Sequence, residues 1–231
     1  MARLFTEQFS FSKGDSVVVI GLGRFGSSVA QSLMRLGHDV MGLDKDAEPV
    51  QLWGNYLTHA VQADSTNVNV MRQLGVADFA HAIVGIGSDL AASLMTIMAL
   101  TELDIKDIWV KAMSAEHGQI AQRIGAHHVV YPEADMGERV AHLITGRMMD
   151  FIEFDDGFAI AKVHAPASTH NQTLAESGVR EKSGVTVVGV KRANEDFQHA
   201  TPGTRVLPGD LLIVSGPTRK IQSFAGDVTK R

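Results

Sequence analysis

Short apolar runs alternate with amphipathic segments along the first part of the chain. Six runs predict β-strands, at residues 17–20, 38–43, 58–63, 82–86, 108–112 and 128–131. The first run is apolar at every position, which is typical of a strand buried on both faces of a parallel sheet. Helical spacing follows the first run and recurs at residues 46–55, 68–74, 89–103 and 115–124. This alternation over short connections predicts an α/β fold with a doubly wound, Rossmann-like parallel sheet.

The pattern changes after residue 134, where the alternation ends. An amphipathic stretch at residues 136–149 predicts a helix that connects two domains. Beyond it, a small α+β domain is predicted, with strands at 151–154, 158–165, 185–192 and 211–215 and helices at about 173–182 and 218–225. The expected organisation is an arm at 1–15, a first lobe at 16–134, a crossover helix at 135–150 and a second lobe at 151–231.

A glycine-rich turn, GLGRFG, joins the first predicted strand to the first predicted helix. Gly21, Gly23 and Gly26 have the spacing in which the first glycine allows a tight turn and the second lets a phosphate approach. The third glycine lets the helix pack closely on the strand. Because the N-terminus of a helix attracts anions, we expect the whole turn, including Leu22 and Phe25, to hold phosphate.

Two charged residues refine this prediction. Arg24 stands at the mouth of the turn, where a guanidinium can bind phosphate oxygens in pairs and favours a ligand with terminal phosphates. Alternatively, Arg24 is a solvated surface residue. Asp44 ends the second predicted strand, about 20 residues after the glycines, where an acidic side chain binds ribose hydroxyls; the alternative is a helix N-cap. Together these residues predict a bound adenine nucleotide or dinucleotide.

The carboxyl ends of the other predicted strands supply further candidates, because ligands of open α/β sheets bind at that edge. They are Asp64, Ser65, Gly85, Gly87, Lys111 and Glu133. Asp64 and Ser65 would contact the adenine edge or cap a turn, and the glycines would let the chain pass close to ribose or phosphate. Lys111 is a point charge for phosphate or a surface lysine. Glu133 can face phosphate only if a cation bridges them, and otherwise stabilises a helix N-terminus.

Composition and charge exclude several classes of function. The 231 residues carry a formal net charge of −5, which argues against a nucleic-acid binder that relies on bulk electrostatics. The absence of cysteine excludes disulfides, thiolate metal sites and a cysteine nucleophile, and fits a reducing cytoplasm. No apolar run approaches the ~20 residues that span a bilayer, and we find no secretory signal or catalytic motif such as H-E-x-x-H. We therefore expect no enzymatic activity, and contact with a membrane only through a partner.

Several stretches together resemble the RCK (regulator of potassium conductance) family, and closely its KtrA/TrkA-type subunits of bacterial potassium uptake systems. In the first lobe they are VVVIGLGRFGSSVAQSLMRLGHDVMGLD, THAVQADST, IWVKA and GAHHVVYPEADMGERVA. In the second lobe, GVTVVGVKR and PGTRVLPGDLLIVSG are similar to the C-lobe of the family. The likeness extends from about residue 16 to residue 225, and the combination is specific although G-x-G-x-x-G alone is not.

The resemblance implies a cytosolic nucleotide-sensing subunit on the inner face of the cell membrane. Its dimers would assemble into an octameric ring on a membrane potassium-translocating subunit of the KtrB/TrkH type, and ATP and ADP would favour different ring shapes that gate this partner. The motif match supports the phosphate, ribose and base contacts expected above. Glu133 matches an acidic residue near the γ-phosphate and its cation, Mg²⁺ or another. Arg180 falls where some relatives bind cyclic di-AMP.

Two other hypotheses remain open from the residues themselves. An NAD(H)-binding redox sensor or an NAD-dependent dehydrogenase also fits the first lobe, and Asp44 would favour NAD over NADP. The second lobe, however, offers no evident group of side chains for proton transfer. A nucleotide sensor without a membrane partner fits as well, and no membrane protein would then co-purify with the chain.

Overall fold

A computed structural model gives the structure of this chain and describes residues 16–144, 149–154 and 157–226, without the side chains of residues 142 and 143. The chain divides into two compact units, Met1–Pro132 and Glu133–Arg231. The boundary lies close to the expected end of the first lobe. The predicted arm lies outside the described residues, as do parts of the predicted crossover helix and second lobe.

Six parallel strands form the sheet of the first unit. They are β1 (Ser16–Ile20), β2 (Asp39–Asp44), β3 (His59–Gln62), β4 (His81–Val84), β5 (Asp107–Lys111) and β6 (His128–Val130). Their order across the sheet is β3-β2-β1-β4-β5-β6. The chain therefore runs outward from the centre in both directions, and the loops after β1 and β4 diverge. The predicted doubly wound parallel sheet is confirmed.

Five α-helices connect these strands. They are α1 (Arg24–Arg35), α2 (Ala47–Trp53), α3 (Val68–Gln73), α4 (Leu90–Glu102) and α5 (Ala115–Arg123), and a 3-10 turn spans Val76–Asp78. The side chains of Asn67, Asp89 and Ser114 accept hydrogen bonds from N–H groups at the starts of α3, α4 and α5. These caps satisfy backbone donors that a helix cannot satisfy itself, so the helices begin where short polar residues follow a strand.

The residues of β1 point alternately to the two faces of the sheet. Val17 and Val19 belong to one buried apolar cluster, whereas Val18 and Ile20 belong to another that includes Leu100 of α4. Helices thus cover the sheet on both faces. This explains why the run is apolar at every position rather than at alternate ones.

The second unit is built on an antiparallel sheet with the order β10-β9-β11-β8-β7. Its strands are β7 (Asp150–Glu153), β8 (Phe158–His164), β9 (Thr186–Lys191), β10 (Gln198–His199) and β11 (Leu211–Pro217). Its helices are α6 (Pro132–Ile144), which begins at the last residue of the first unit, α7 (Leu174–Ser177), α8 (Val179–Ser183) and α9 (Thr218–Gly226). Apolar residues of β8, β11 and α9 form its core. The predicted small α+β domain is confirmed.

Two local features of the second unit differ from the expectation. The single helix expected at residues 173–182 is divided into α7 and α8, because Gly178 between them has a φ of 58°, in the left-handed region that glycine adopts readily. Strand β10 was not predicted, because its two residues are polar and carry no alternation. It forms through backbone pairing with Gly189 and Val190 of β9.

Candidate functional site

A cavity of about 240 Å³ opens at the carboxyl ends of β1 to β4, where the strand order of the sheet reverses. Seven of the predicted site residues line it, namely Gly21, Gly23, Asp44, Asp64, Ser65, Gly85 and Gly87. The other lining residues are Ile20, Lys45, Asp46, Pro49, Thr66, Ile86, Ser88, Asp89 and Ala92. Open α/β sheets bind their ligands in this position.

Close backbone approach explains the glycines of the turn. Gly21 has a φ of 89°, which disfavours any side chain. A Cβ on Gly26 would lie 1.9 Å from the carbonyl oxygen of Gly21, so this glycine is needed for α1 to pack on β1. A Cβ on Gly23, in contrast, would meet nothing within 4 Å, so the space above it is open to a ligand. This geometry fits the role expected of each glycine.

The N-terminus of α1 lies at the cavity, because the helix begins directly after the lining residue Gly23. The first turn of α1 contains no acidic side chain, and Gly23 offers no side chain as a cap. The first N–H groups and the positive end of the helix dipole can therefore act on an anion. Arg24 is exposed and Phe25 is partly buried, and neither is among the described residues of the lining. Arg24 lies beside the cavity rather than in it.

The carboxylate of Asp44, the last residue of β2, is held by two backbone N–H groups. Leu22 donates to Oδ2 at 2.7 Å, and Asp46 donates to Oδ1 at 3.0 Å. The first bond ties the carboxylate to the glycine turn. Each oxygen keeps further acceptor capacity, so the oriented group can also accept from ribose hydroxyls. The N-cap of α2 is Asp46, so the geometry does not fit the alternative role of Asp44 as a helix N-cap.

Asp64 and Ser65 follow β3 and have different surroundings. Asp64 is exposed, and its Oδ1 accepts from the hydroxyl and the N–H of Thr66 at 2.7 and 3.0 Å. These two bonds, with the charge of Lys45, outweigh burial and lower the pKa of Asp64. Asp64 therefore caps a turn while it lines the cavity. Ser65 is buried, and its Oγ lies 2.8 Å from Oγ1 of Thr96 on α4.

The loop after β4 packs against the glycine turn. A Cβ on Gly85 would lie 3.1 Å from the carbonyl oxygen of Gly21, tighter than ordinary contact. A Cβ on Gly87 would lie 3.1 Å from Nζ of Lys111, and this Nζ is 5.9 Å from the centroid of the Phe25 ring. The Lys111 ammonium thus lies between the loop after β4 and the start of α1, next to the lining.

Sequence analysis did not single out several polar residues of the lining, including Lys45, Asp46 and Asp89. Each follows a strand end closely or begins a helix, so position relative to the predicted strands was a usable signal. With Asp44 and Asp64, the lining holds four carboxylates against one lysine. Such a lining favours hydroxyl and amine donors near β2, and it disfavours an anionic group beside these carboxylates.

Two predicted site residues belong to the second unit. Glu133 is exposed in the first turn of α6. Arg180 lines a separate cavity of about 480 Å³, formed mainly by α7, α8 and the segments around β9 and β10. The other residues of this cavity are Leu174, Ala175, Val179, Glu181, Thr186, Val187, Ala200, Thr201 and Pro202.

Within residues 16–144, 149–154 and 157–226, no group of three or more His, Asp or Glu side chains is arranged to hold a metal ion. No helix in the same part of the chain is both long enough and apolar enough to cross a membrane.

Comparison with known families identifies the class of protein that this fold and site define. Residues 17–132 match the TrkA-N domain, and residues 158–226 match the TrkA-C domain. The chain belongs to the family of RCK proteins with TrkA-N and TrkA-C domains, which confirms the resemblance seen in the sequence.

Two curated relatives cover nearly the whole chain. The Ktr system potassium uptake protein A of Bacillus subtilis (strain 168) is 33% identical over 228 residues, which are 98% of this chain and 99% of the relative. The Ktr system potassium uptake protein C of the same organism is 35% identical over 207 residues, which are 89% of this chain and 94% of the relative. The likeness therefore extends over most of both chains in each case.

Solved structures with the same fold include the GsuK channel, with a TM-score of 0.65 and 17% identity. The GsuK channel bound to NAD has a TM-score of 0.52 and 21% identity, and GsuK bound to ADP has 0.50 and 23%. They match 95%, 96% and 57% of this chain, which spans only 40%, 40% and 34% of theirs. At these identities the likeness concerns the fold.

Proposed function

We propose that this chain is the nucleotide-sensing regulatory subunit of a potassium uptake system. The observation that carries this proposal is the likeness to the Ktr proteins A and C over nearly the full length of both chains. The cavity at the glycine turn supplies the sensing site. The names of the relatives describe potassium uptake proteins and not enzymes, in agreement with the expectation that this chain is not an enzyme.

The ligand of the cavity is an adenine nucleotide in this proposal. Asp44, oriented by Leu22, accepts hydrogen bonds from the ribose hydroxyls, and the start of α1 holds the phosphates. Asp64 and Ser65 lie at the base. Arg24, exposed beside the cavity, and the Lys111 ammonium add positive charge for the outer phosphates. A γ-phosphate that reaches Arg24 of a neighbouring subunit would make contacts that ADP cannot, which would let ATP and ADP favour different states.

Self-association is the second part of the proposal. On α4, Leu90, Met95 and Met98 have 45%, 51% and 58% of their surface exposed. Exposed apolar side chains along one helix are typical of a protein–protein contact. We expect dimers of this chain to assemble through such surfaces into an octameric ring, located in the cytoplasm on a membrane potassium-translocating subunit of the KtrB/TrkH type.

Three ligand assignments stay predictions within this proposal. Glu133 would hold a cation, Mg²⁺ or another, that accompanies the γ-phosphate. Arg180 would bind cyclic di-AMP, which is supported by its place in an open cavity of the second unit. NAD(H) is the alternative ligand of the main cavity, supported by the fold that this chain shares with the GsuK channel bound to NAD and by the ribose-binding position of Asp44.

Calorimetric titration with ATP, ADP, NADH and cyclic di-AMP in parallel tests these assignments. We expect tight binding of ATP and ADP and weak binding of NADH. Tight binding of NADH with negligible binding of ATP would overturn the proposal in favour of a redox sensor. Arg24→Ala is expected to weaken ATP more than ADP, whereas Arg35→Ala, at the exposed far end of α1, should change neither. Equal losses for both nucleotides would refute the role of Arg24.

Restoration of uptake tests the cellular role. A bacterial strain that lacks its own Ktr regulatory subunits would receive this chain together with the membrane subunit of the same source. We expect potassium uptake at low external potassium to return with the wild-type chain, and to stay low with Asp44→Ala. If the wild-type chain, present at a normal level, restores no uptake, the transport role is refuted even if nucleotides bind.

A further inference from the structure

Helix α4 contributes both to the cavity and to the exposed apolar stripe. Its N-cap Asp89 and the first-turn residue Ala92 line the cavity. Met95 and Met98, which lie one turn apart, face outward. A helix moves largely as one body, so a change at either end of α4 affects the other.

Two buried hydroxyl groups hold the inner side of α4. The side chain of Thr96 is fully buried, and its Oγ1 lies 2.8 Å from Oγ of Ser65, which is 7% exposed and lines the cavity. Ser93 is also fully buried, and its Oγ lies 3.2 Å from Nε2 of His117 on α5. Breaking such a buried pair leaves a polar group without its partner, which is costly. The two bonds therefore determine where α4 sits against its neighbours.

The two bonds differ in what they connect. The bond of Ser93 joins α4 to α5, and neither Ser93 nor His117 lines the cavity. The bond of Thr96 joins α4 to a wall of the cavity, across 31 positions of the chain. A ligand that displaces or reorients the Ser65 hydroxyl thus acts on α4 directly, next to the exposed Met95 and Met98.

We propose that Thr96 is a positioning residue that links nucleotide binding to self-association. By holding Ser65, it makes the affinity of the cavity for an adenine nucleotide depend on whether the outer stripe of α4 contacts a second copy of this chain. The inference rests on the proposed self-association through α4. Linkage is reciprocal, so the nucleotide must change self-association by the same factor by which self-association changes nucleotide affinity.

A double-mutant cycle in the full chain, with ADP as the probe, measures this link. The four proteins are the wild type, Thr96→Val, Met98→Glu and the double variant. Met98→Glu places a charge on the exposed stripe at a position outside the lining, whereas Thr96→Val keeps the shape of the side chain and removes its hydroxyl. Calorimetry gives the Kd for ADP, and sedimentation gives the state of assembly with and without ADP.

In the wild-type background, we expect Met98→Glu to change the Kd for ADP by about fivefold or more, as is typical of coupled sites. In the Thr96→Val background, the same substitution should change this Kd by less than about twofold. In the Thr96→Ser background, which keeps a hydroxyl, Met98→Glu should again change the Kd for ADP by about fivefold or more. The same large change is expected in the Ser93→Ala background, which loses the other buried hydroxyl of α4 but keeps the pair of Thr96 and Ser65. Equal ratios in the wild-type and Thr96→Val backgrounds overturn the inference, because a merely structural role would weaken binding equally in both assembly states.

The sedimentation data separate this result from a failure of the proposed function. If Met98→Glu leaves the assembly intact, the proposed contact through α4 is wrong, and the inference falls with it. If Met98→Glu dissociates the assembly while the Kd for ADP stays the same, self-association stands and the link through Thr96 is refuted. Should Thr96→Val fold poorly, Ser65→Ala, which removes the other hydroxyl of the same pair, replaces it. Met98→Glu should then change the Kd for ADP by less than about twofold in the Ser65→Ala background, and a change of about fivefold there would overturn the inference.

Discussion

The two units of this chain both pack helices on a sheet, but they differ in where their loops meet. In the parallel sheet of the first unit, all six strands end at one edge, so the loops after β1, β2, β3 and β4 surround a single cavity. In the antiparallel sheet of the second unit, strands that are adjacent in the sheet end at opposite edges, so their loops are distributed over both edges. Strand direction therefore decides which unit can gather polar groups from distant parts of the chain.

Polar side chains also have different roles in the two units. In the first unit, Asp44 links the glycine turn to the edge of the cavity and keeps capacity for a ligand. In the second unit, the buried Asp210 accepts from Arg192 and from the N–H of Leu207, and so holds a tight turn before β11. Similar carboxylates thus stand at a cavity with spare acceptor capacity in one unit and hold a local turn in the other.

The largest expected effect tests the dependence of the first unit on close backbone packing. Gly26→Ala would bring a Cβ within 1.9 Å of the Gly21 oxygen, and we expect a loss of about 3 kcal/mol in the stability of this unit, because neither backbone segment can yield easily. Both tryptophans, Trp53 and Trp109, lie in the first unit, so thermal unfolding followed by tryptophan fluorescence reports on it.

Gly203→Ala, in the second unit, is the matched control, because its Cβ would meet nothing within 4 Å. It should leave the fluorescence transition unchanged. A Gly26→Ala variant as stable as the wild type would show that the packing of α1 on β1 is more tolerant than the geometry indicates.

The next largest effect concerns binding. Asp44→Ala removes the oriented carboxylate, and we expect ADP to bind roughly 30-fold more weakly, corresponding to about 2 kcal/mol for hydrogen bonds to a charged group. Arg180→Ala, in the cavity of the second unit, should leave the Kd for ADP unchanged. Calorimetry of the two variants compares the units directly. If Arg180→Ala weakened ADP binding more than Asp44→Ala, the nucleotide site would lie in the second unit and not in the first.

A smaller effect is expected where β4, β5 and β6 begin, at their amino ends. Asp107 accepts from Nδ1 of His81 at 2.7 Å and from Nε1 of Trp109 at 3.0 Å, and Nε2 of His128 lies 3.2 Å away. Burial alone would raise the pKa of Asp107, but the bonds from His81 and Trp109 and the nearby histidine charges lower it overall. Asp107→Asn should therefore destabilise the first unit by about 1 kcal/mol at neutral pH.

The sign of the pH dependence sharpens this test. A lowered carboxyl pKa stabilises the fold above the ordinary value of about 3.9, and the contribution is lost as the pH falls through the lower folded value. The difference between Asp107→Asn and the wild type should accordingly shrink below about pH 4. Asp104→Asn removes only the exposed pair with Lys106 and should cost less than about 0.5 kcal/mol. Equal losses for the two variants would contradict the expectation.

The smallest effect is expected near neutral pH. Burial lowers the pKa of His117, so the folded first unit binds its proton less readily than the unfolded chain. The contribution of neutral His117 to the stability of the first unit should be fully present above the ordinary histidine pKa of about 6.5. It should decline as the pH falls below that value. Fluorescence-detected unfolding of the wild type and His117→Gln from about pH 7.5 to about pH 5.5 measures this slope.

His117→Gln should have a shallower slope than the wild type, and His164→Gln, an exposed position of the second unit, should keep the wild-type slope. Parallel slopes for the wild type and His117→Gln would rule out His117 as the source of the pH dependence.

Much of the first unit could be predicted because its patterns are local. The apolar run of β1, the glycine turn and the acidic end of β2 occur in order, and each is a direct consequence of burial on two faces, tight turning and strand length. The same reasoning did not predict the helix break at Gly178. A glycine inside a short helical pattern breaks the helix only when its backbone adopts the left-handed conformation, and the local pattern does not specify that conformation. The reasoning also missed β10, which forms by backbone pairing alone.

The sequence by itself determined the fold class, the family and seven of the residues that line the cavity, because periodicity, glycine spacing and strand ends are encoded within short stretches. Only the tertiary structure decided that Asp44 is held by Leu22, that Lys111 lies beside Gly87, and that Ser65 meets Thr96. Periodicity determines which face of an element a side chain occupies. The partner of that side chain depends on how separate elements pack, and residues far apart in the chain become neighbours only when the sheet and its helices are assembled.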